Sequence, residues 1–259
     1  MPQRPSFLPA PRDRRQEPSG FIYPGKEDRV TINGMTGSGK STFALWLFAE
    51  SADYDKKPWI LIDFKGEKII QQMIAEKLAQ IVSVHDNVPK QPGVYVVTPN
   101  PRKDGMAVVA EFLWKIYEKG KVGVFLDEAT MIPELRGESN SGGPFQSILS
   151  QGRSKEIPCW VLAQRPVNVN RMVYSENNFY CAFRLRSQDD LKKVMDAIPE
   201  DSEGFEKTWN PRLKLKPYNS RWYDAQQDRS WILHAAPPAD ATLDILFDRL
   251  DKAKKREVL

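Results

Sequence analysis

Gly34-Met-Thr-Gly-Ser-Gly-Lys-Ser-Thr42 decides how this chain reads. The nine residues fit the pattern G-x-x-x-x-G-K-[ST]. They lie between a short apolar run at 29–33 and a stretch at 40–52 in which Phe43, Ala44, Leu47 and Phe48 share one helix face. Strand, glycine loop and helix in that order form the setting in which such a loop cradles phosphate. Gly34, Gly37 and Gly39 let backbone N–H groups close on an anion without a Cβ in the way. The start of the helix adds partial positive charge at the same place. The whole run, Gly34, Met35, Thr36, Gly37, Ser38, Gly39, Lys40, Ser41 and Thr42, is therefore the expected ATP-binding loop. Lys40 is expected to reach the β- and γ-phosphates and Ser41 to ligate Mg²⁺.

Outward from this loop the chain alternates two kinds of segment. Apolar runs at 59–64, 94–98, 122–126, 159–163 and 179–186 read as strands, and 67–80, 106–119, 145–155 and 189–197 read as helices. The near-continuous apolar character of Trp59-Ile-Leu-Ile-Asp-Phe64 marks a strand covered on both faces. The expected fold is thus α/β, a P-loop NTPase core of the RecA-like kind with a central, mainly parallel sheet and helices on both faces. Three regions are expected: an extended Pro/Arg-rich arm over 1–26, the ATPase core over 27–200, and a C-terminal extension over 201–259. The extension is read as a late hairpin or edge strands near 221–223 and 230–234, then an amphipathic helix at 241–255 packing on the core.

A phosphate loop needs a carboxylate at the end of a neighbouring buried strand. Val122-Gly-Val-Phe-Leu-Asp-Glu-Ala129 supplies two acids, with Asp127 expected to hold the metal and Glu128 to polarise the attacking water. The strand at 159–163 ends in Ala163-Gln-Arg-Pro166, which makes Gln164 a candidate sensor of the γ-phosphate. The Asn-Lys-x-Asp that reads guanine is absent, Ser141-Gly142-Gly143 follows the acidic strand where a transporter signature would precede it, and 133–143 holds a single arginine where a kinase lid is Arg-rich. ATP hydrolysis is the favoured chemistry.

Composition narrows the class further. With 41% hydrophobic and 28% charged residues the chain can bury a core, and Lys+Arg 38 against Asp+Glu 34 leaves only +4, a balance compatible with a nucleic-acid partner without requiring one. No apolar run approaches the ~20 residues of a membrane span, and the start lacks the apolar segment of a secretory signal. Two cysteines (Cys159, Cys181) and two histidines (His85, His234) exclude a disulfide framework and a Cys/His zinc cluster.

Beyond the phosphate loop, Ile62-Asp-Phe-Lys-Gly-Glu67, Phe125–Glu128 and Gly152-Arg153 followed by Ala163-Gln-Arg-Pro166 give the chain its specific likeness. In order and spacing they resemble the FtsK–HerA branch of P-loop motors over about residues 28–190, and most of all the genome-packaging ATPases of membrane-containing icosahedral viruses and phages. The resemblance implies a homo-oligomeric ring, usually a hexamer, that drives double-stranded DNA into a preformed capsid, with ATP and Mg²⁺ at subunit interfaces. It also implies a cation supplied in trans, for which Arg153 is the first candidate and Arg171 and Arg136 the next. DNA would be held by its phosphates, with Arg102, Lys103, Arg165 and Arg171 as candidate contacts. Capsid-vertex or viral membrane proteins are the further expected partners, and the host cytoplasm or the virion vertex is the expected location of a soluble protein. The rival readings are a DNA pump of conjugation or plasmid mobilisation, a non-motor phage-assembly ATPase, and a soluble P-loop kinase.

Overall fold

The structure, a computed structural model, describes residues 18–100, 103–137 and 142–257. Residues 1–17 of the expected arm, the candidate DNA contact Arg102, and Ser141 lie outside the described residues. The described strands are β1 (Val30–Asn33), β2 (Pro58–Ile62), β3 (Gln80–Ile81), β4 (Gly93–Val97), β5 (Gly123–Leu126), β6 (Cys159–Ala163), β7 (Phe179–Ala182), β8 (Ser220–Asp224) and β9 (Arg229–Leu233). They form one sheet in the order β3-β4-β2-β5-β6-β1-β7-β8-β9. Pairing is parallel from β3 through β7 and antiparallel at β7–β8 and β8–β9. The helices are α1 (Lys40–Ser51), α2 (Lys68–Ala75), α3 (Gly105–Lys119), α4 (Pro144–Gln151), α5 (Met172–Ser175), α6 (Gln188–Met195), α7 (Phe205–Trp209) and α8 (Ala239–Glu257). This is the expected α/β class.

The continuous apolar runs make sense once each strand is split by parity. Ile60, Ile62, Val124, Leu126, Val161 and Ala163 face one core, built with Val109, Phe112 and Ile116 of α3 and Phe145, Ile148 and Leu149 of α4. Trp59, Leu61, Phe125, Trp160 and Leu162 face the other, built with α1 and with Leu243 and Leu246 of α8. Alternation of side chains along a strand thus divides one hydrophobic run between two buried layers.

Helix α1 is buried beyond the single face that its apolar spacing suggests. Leu45, Trp46 and Ala49 are buried as well as Phe43, Ala44, Leu47 and Phe48, because α8 lies along its outer side. Arg249 of α8 closes the C-terminus of α1, donating from Nη1 to the carbonyls of Ala49 (2.8 Å) and Glu50 (3.0 Å) and from Nη2 to that of Ala52 (2.7 Å). Those carbonyls have no partner within the helix.

Several boundaries differ from the sequence reading. The helix expected over 67–80 stops at Ala75, Lys77 turns with a left-handed φ of 60°, and residues 80–81 return as the short edge strand β3. The helix expected over 145–155 ends at Gln151 and continues as a 3₁₀ turn, Gly152–Lys155. There Ile157 donates its N–H back to the Gly152 carbonyl at 2.8 Å. The strand expected over 179–186 ends at Ala182, where the chain turns toward the glycine loop. Among the described residues no helix is long and apolar enough to cross a membrane.

Gly123 of β5 stands beside Trp59 of β2 in the sheet, and an added Cβ would lie 2.0 Å from the indole Cδ2. Gly123→Ala is expected to lower stability by about 1–3 kcal/mol, read as a drop in the urea midpoint at unchanged slope.

Candidate nucleotide site

The parallel strands deliver the candidate residues to one edge of the sheet. β1 ends at Asn33 and runs into the glycine loop, whose Gly34 N–H donates to the Ala163 carbonyl at the end of β6 (3.1 Å) and whose Met35 N–H donates to the Arg184 carbonyl (3.1 Å). A Cβ on Gly34 would sit 2.6 Å from Ser38 Oγ and 2.8 Å from Phe183 Cβ, so only glycine lets the loop fold this tightly against the sheet. Gly39 precedes α1 with a φ of 93°, a conformation costly for other residues. No side chain caps α1, and no acid occupies its first turn. The free N–H groups and the helix dipole therefore remain available to an anion.

Lys40 is 5% exposed. Burial, with the nearby Lys65 charge, pushes its amine down to about 8, against the opposing pull of Glu128, Asp127 and Glu67. Asp127 is buried at the end of β5, two strands from β1 with β6 between. Burial above all raises its carboxyl to about 7, with Asp63 acting in the same sense and Lys65, the Phe64 N–H and Lys40 opposing. Its Oδ1 accepts the N–H of Phe64 at 3.2 Å, while its buried Oδ2 has no partner. An unpartnered, buried carboxylate oxygen fits a hard cation such as Mg²⁺, which takes one or two carboxylates and completes its shell with phosphate oxygens and water. Among the described residues no group of three or more His, Cys, Asp or Glu side chains is arranged to hold a metal.

Glu128 is held at both oxygens. Oε2 pairs with Lys65 Nζ at 2.8 Å, and Oε1 accepts the Thr130 hydroxyl at 2.9 Å. Lys65 and Glu67 are site residues to which the sequence reading assigns no role, although their motif is part of the specific likeness. Asp63, fully buried after β2, explains how they are placed. Its Oδ1 accepts the N–H groups of Lys65 (3.1 Å), Gly66 (2.8 Å) and Glu67 (3.2 Å), folding 63–67 into a turn. From that turn Lys65 reaches Glu128, and Glu67 Oε1 accepts the Ser41 hydroxyl at 2.9 Å. One buried aspartate thus links the glycine loop to the acidic strand. The Asp-x-Lys-Gly-Glu run directly after an apolar strand was the available signal.

Gln164 leaves β6 between β1 and β5 and accepts a hydrogen bond from the Thr36 hydroxyl at 3.3 Å. A cleft of about 530 Å³ holds Ser41, Thr42, Lys65 and Glu67, and another of about 680 Å³ holds Glu128, Thr130, Gln164, Arg136 and Arg165. The Lys65–Glu128 pair spans the two. Arg136 is exposed and donates from Nε to the Thr130 carbonyl.

The remaining candidates lie elsewhere. Arg153 is exposed on the 3₁₀ turn that precedes β6, at the opposite edge of the sheet from the glycine loop and near Asp28. A five-residue strand is about 17 Å long, so Arg153 cannot touch phosphates bound by its own loop. Lys103 is exposed beyond the end of β4. Arg165 pairs with the buried Asp190 at 3.5 Å, and Arg171 shares a cavity wall with Asp189, Asp196 and Glu200.

A depressed amine signals that the fold disfavours the charged form of Lys40. Its unfolded value is 10.5 and its folded value about 8, so it makes the fold less stable below pH 8, and this penalty fades as pH rises from 8 to 10.5. Lys40→Met should therefore be more stable than the parent near neutral pH, by up to ~3 kcal/mol, with the difference shrinking toward pH 10.5. Denaturant titrations of both proteins across that range measure it.

No family model matches the chain. It is 36% identical over 235 residues to the DNA packaging ATPase P9 of Enterobacteria phage PRD1, an alignment covering 90% of this chain and 96% of that protein. Among solved structures, the genome packaging NTPase B204 of Sulfolobus turreted icosahedral virus 2, in complex with AMPPCP, superposes with a TM-score of 0.60 at 18% identity, over 82% of this chain and all of that one. EssC (ATPases 2 and 3) of Geobacillus thermodenitrificans gives a TM-score of 0.56 at 12% identity, over 89% of this chain and 44% of that one. The last two likenesses speak to the fold alone. With its glycine loop, paired acids and strand-end glutamine on one sheet edge, and with that near-complete alignment, the chain belongs to the viral DNA packaging ATPase family of P9.

Proposed function

We propose that the chain is the ATPase subunit of a ring-shaped motor that hydrolyses ATP to ADP and phosphate and drives double-stranded DNA into a preformed viral capsid. The observation that carries this reading is the convergence of Lys40, Asp127, Glu128 and Gln164 on one sheet edge in a chain related over nearly its whole length to P9. Structures of B204 hold AMPPCP and ATP-γS, which supports ATP as the nucleotide here. The EssC neighbour shares only the fold.

In this reading the loop amides and Lys40 bind the phosphates, and Ser41 and Asp127 would hold Mg²⁺, which would supply neutralisation of phosphate charge. Glu128 takes the proton of the attacking water. It can do so only when Lys65 releases it, since a carboxylate paired with an ammonium at 2.8 Å is a poor base. Gln164, linked to Thr36 of the loop, reports whether the γ-phosphate is present. Arg153, too far from its own glycine loop to act there, stabilises the transferred phosphoryl charge of a neighbouring subunit. A hexamer, a capsid-vertex or viral membrane partner, and a location at the virion vertex complete the proposal.

Glu128→Gln should bind ATP yet turn over about 10²–10⁴-fold more slowly, and removing Mg²⁺ with a chelator should abolish turnover of the parent. Measuring phosphate release with and without duplex DNA tests the coupling. For the trans role, Arg153→Ala and Lys40→Ala proteins, each inactive alone, should regain partial activity when mixed. A mixture as inactive as its components would remove Arg153 from the site.

A further inference from the structure

Arg184, Arg186, Arg212, Lys214 and Lys216 stand on two segments that the β7–β8 pairing brings together. One leaves β7 at Ala182, and the other enters β8 just before Arg221, the residue opposite Ala182. All five side chains are exposed. From 212 to 216 exposure alternates, with Leu213 and Leu215 half-buried between the three cations. A cleft of about 530 Å³ between the segments is walled by Arg184, Arg186, Lys214 and Arg221 and by no carboxylate. Among the described residues none of the five cations forms an ion pair.

The buried Arg221 shapes the strip without neutralising it. Its guanidinium donates from Nε to the Thr208 carbonyl (2.9 Å) and from Nη2 to those of Asn210 (3.4 Å) and Leu213 (3.0 Å). Backbone carbonyls carry no net charge, so the segment is fastened while the local positive potential stays whole. Two of the cations that the sequence points to fare differently, since Arg165 is paired with Asp190 and Arg171 lines a cavity in which Asp189, Asp196 and Glu200 balance it with Lys192 and Lys193.

We infer that this strip is the surface on which the phosphodiester backbone of duplex DNA rests. The inference depends on the DNA-motor reading above and adds the contact surface to it. A translocating protein must hold phosphates without reading bases, which calls for several flexible, unpaired cations in a row. The strip adjoins the phosphate loop at Arg184 and at Tyr218, two residues past Lys216. The Arg184 carbonyl accepts the Met35 N–H, and the Tyr218 ring lies over Gly39, where an added Cβ would be 3.0 Å from its Cδ1. These contacts give a change in the loop a direct route to the strip.

The test is a triple variant, Arg186→Ala with Lys214→Ala and Lys216→Ala, which spares the two residues that touch the loop. Its affinity for a random-sequence duplex should fall about tenfold or more at moderate salt, and the slope of log affinity against log salt should shrink by about one for each phosphate the variant no longer holds. ATPase activity without DNA and the thermal midpoint should stay at parent values. A matched variant, Lys103→Ala with Arg171→Ala, should keep near-parent DNA affinity. Unchanged DNA affinity in the triple variant overturns the inference. So does intact DNA binding with lost ATPase activity, which would give the strip to the nucleotide, or with lost binding to phosphatidylserine vesicles, which would give it to a membrane. A parent protein that hydrolyses ATP but binds no duplex at all would overturn the motor reading as well.

Discussion

Burying an amine where the sheet edge meets the start of α1 is the constraint on which the site depends. Lys40 has little water around it, and Lys65 repels it. What makes that position tolerable is the group of carboxylates nearby, those of Asp127, Glu128 and Glu67. They keep the charge in place, while the partly positive helix start stays empty of protein side chains and open to an anion. A protein optimised for stability alone would have no reason to keep such a group. Here the desolvation that weakens the fold also strengthens any attraction between the amine and a bound phosphate, because both act in the same low-dielectric crevice.

Much of this can be read from the chain because the relevant signals are local. The glycine loop, the apolar strands and the acids at the end of β5 are each specified within about ten residues, and their positions in the fold follow from parallel βαβ connections. What stays hidden is long-range. Arg249 caps α1 from 200 residues away, and α8 hides a face of α1 that its own spacing leaves open. β3 is too short to carry a periodic signal, and its neighbour α2 stops early because of a single left-handed residue. Lys65 and Glu67 are visible as a motif, but their partners, Glu128 and Ser41, lie on other elements, joined only through the turn that Asp63 organises.

Charge tells a similar story. Counting cations by segment gives equal weight to Arg165, Arg171 and Lys103, since a sequence does not say which charges are cancelled by a neighbour. Folding brings Asp190 to Arg165 and leaves 184–186 and 212–216 without acids. The small net charge of the whole chain is therefore compatible with one strongly positive strip.

The antiparallel ladder from β7 through β9 has a mechanical side. The strip hangs from one end of β7 and β8, whose hydrogen bonds lie across the strand axes. A tug directed along those axes loads the rungs together, as a sheared lap joint does, whereas a tug across them would open the rungs one by one like a zip. Whichever way a load runs, resistance should be greatest along β7 and β8, and the stiffest path between the strip and the glycine loop passes through this corner of the sheet.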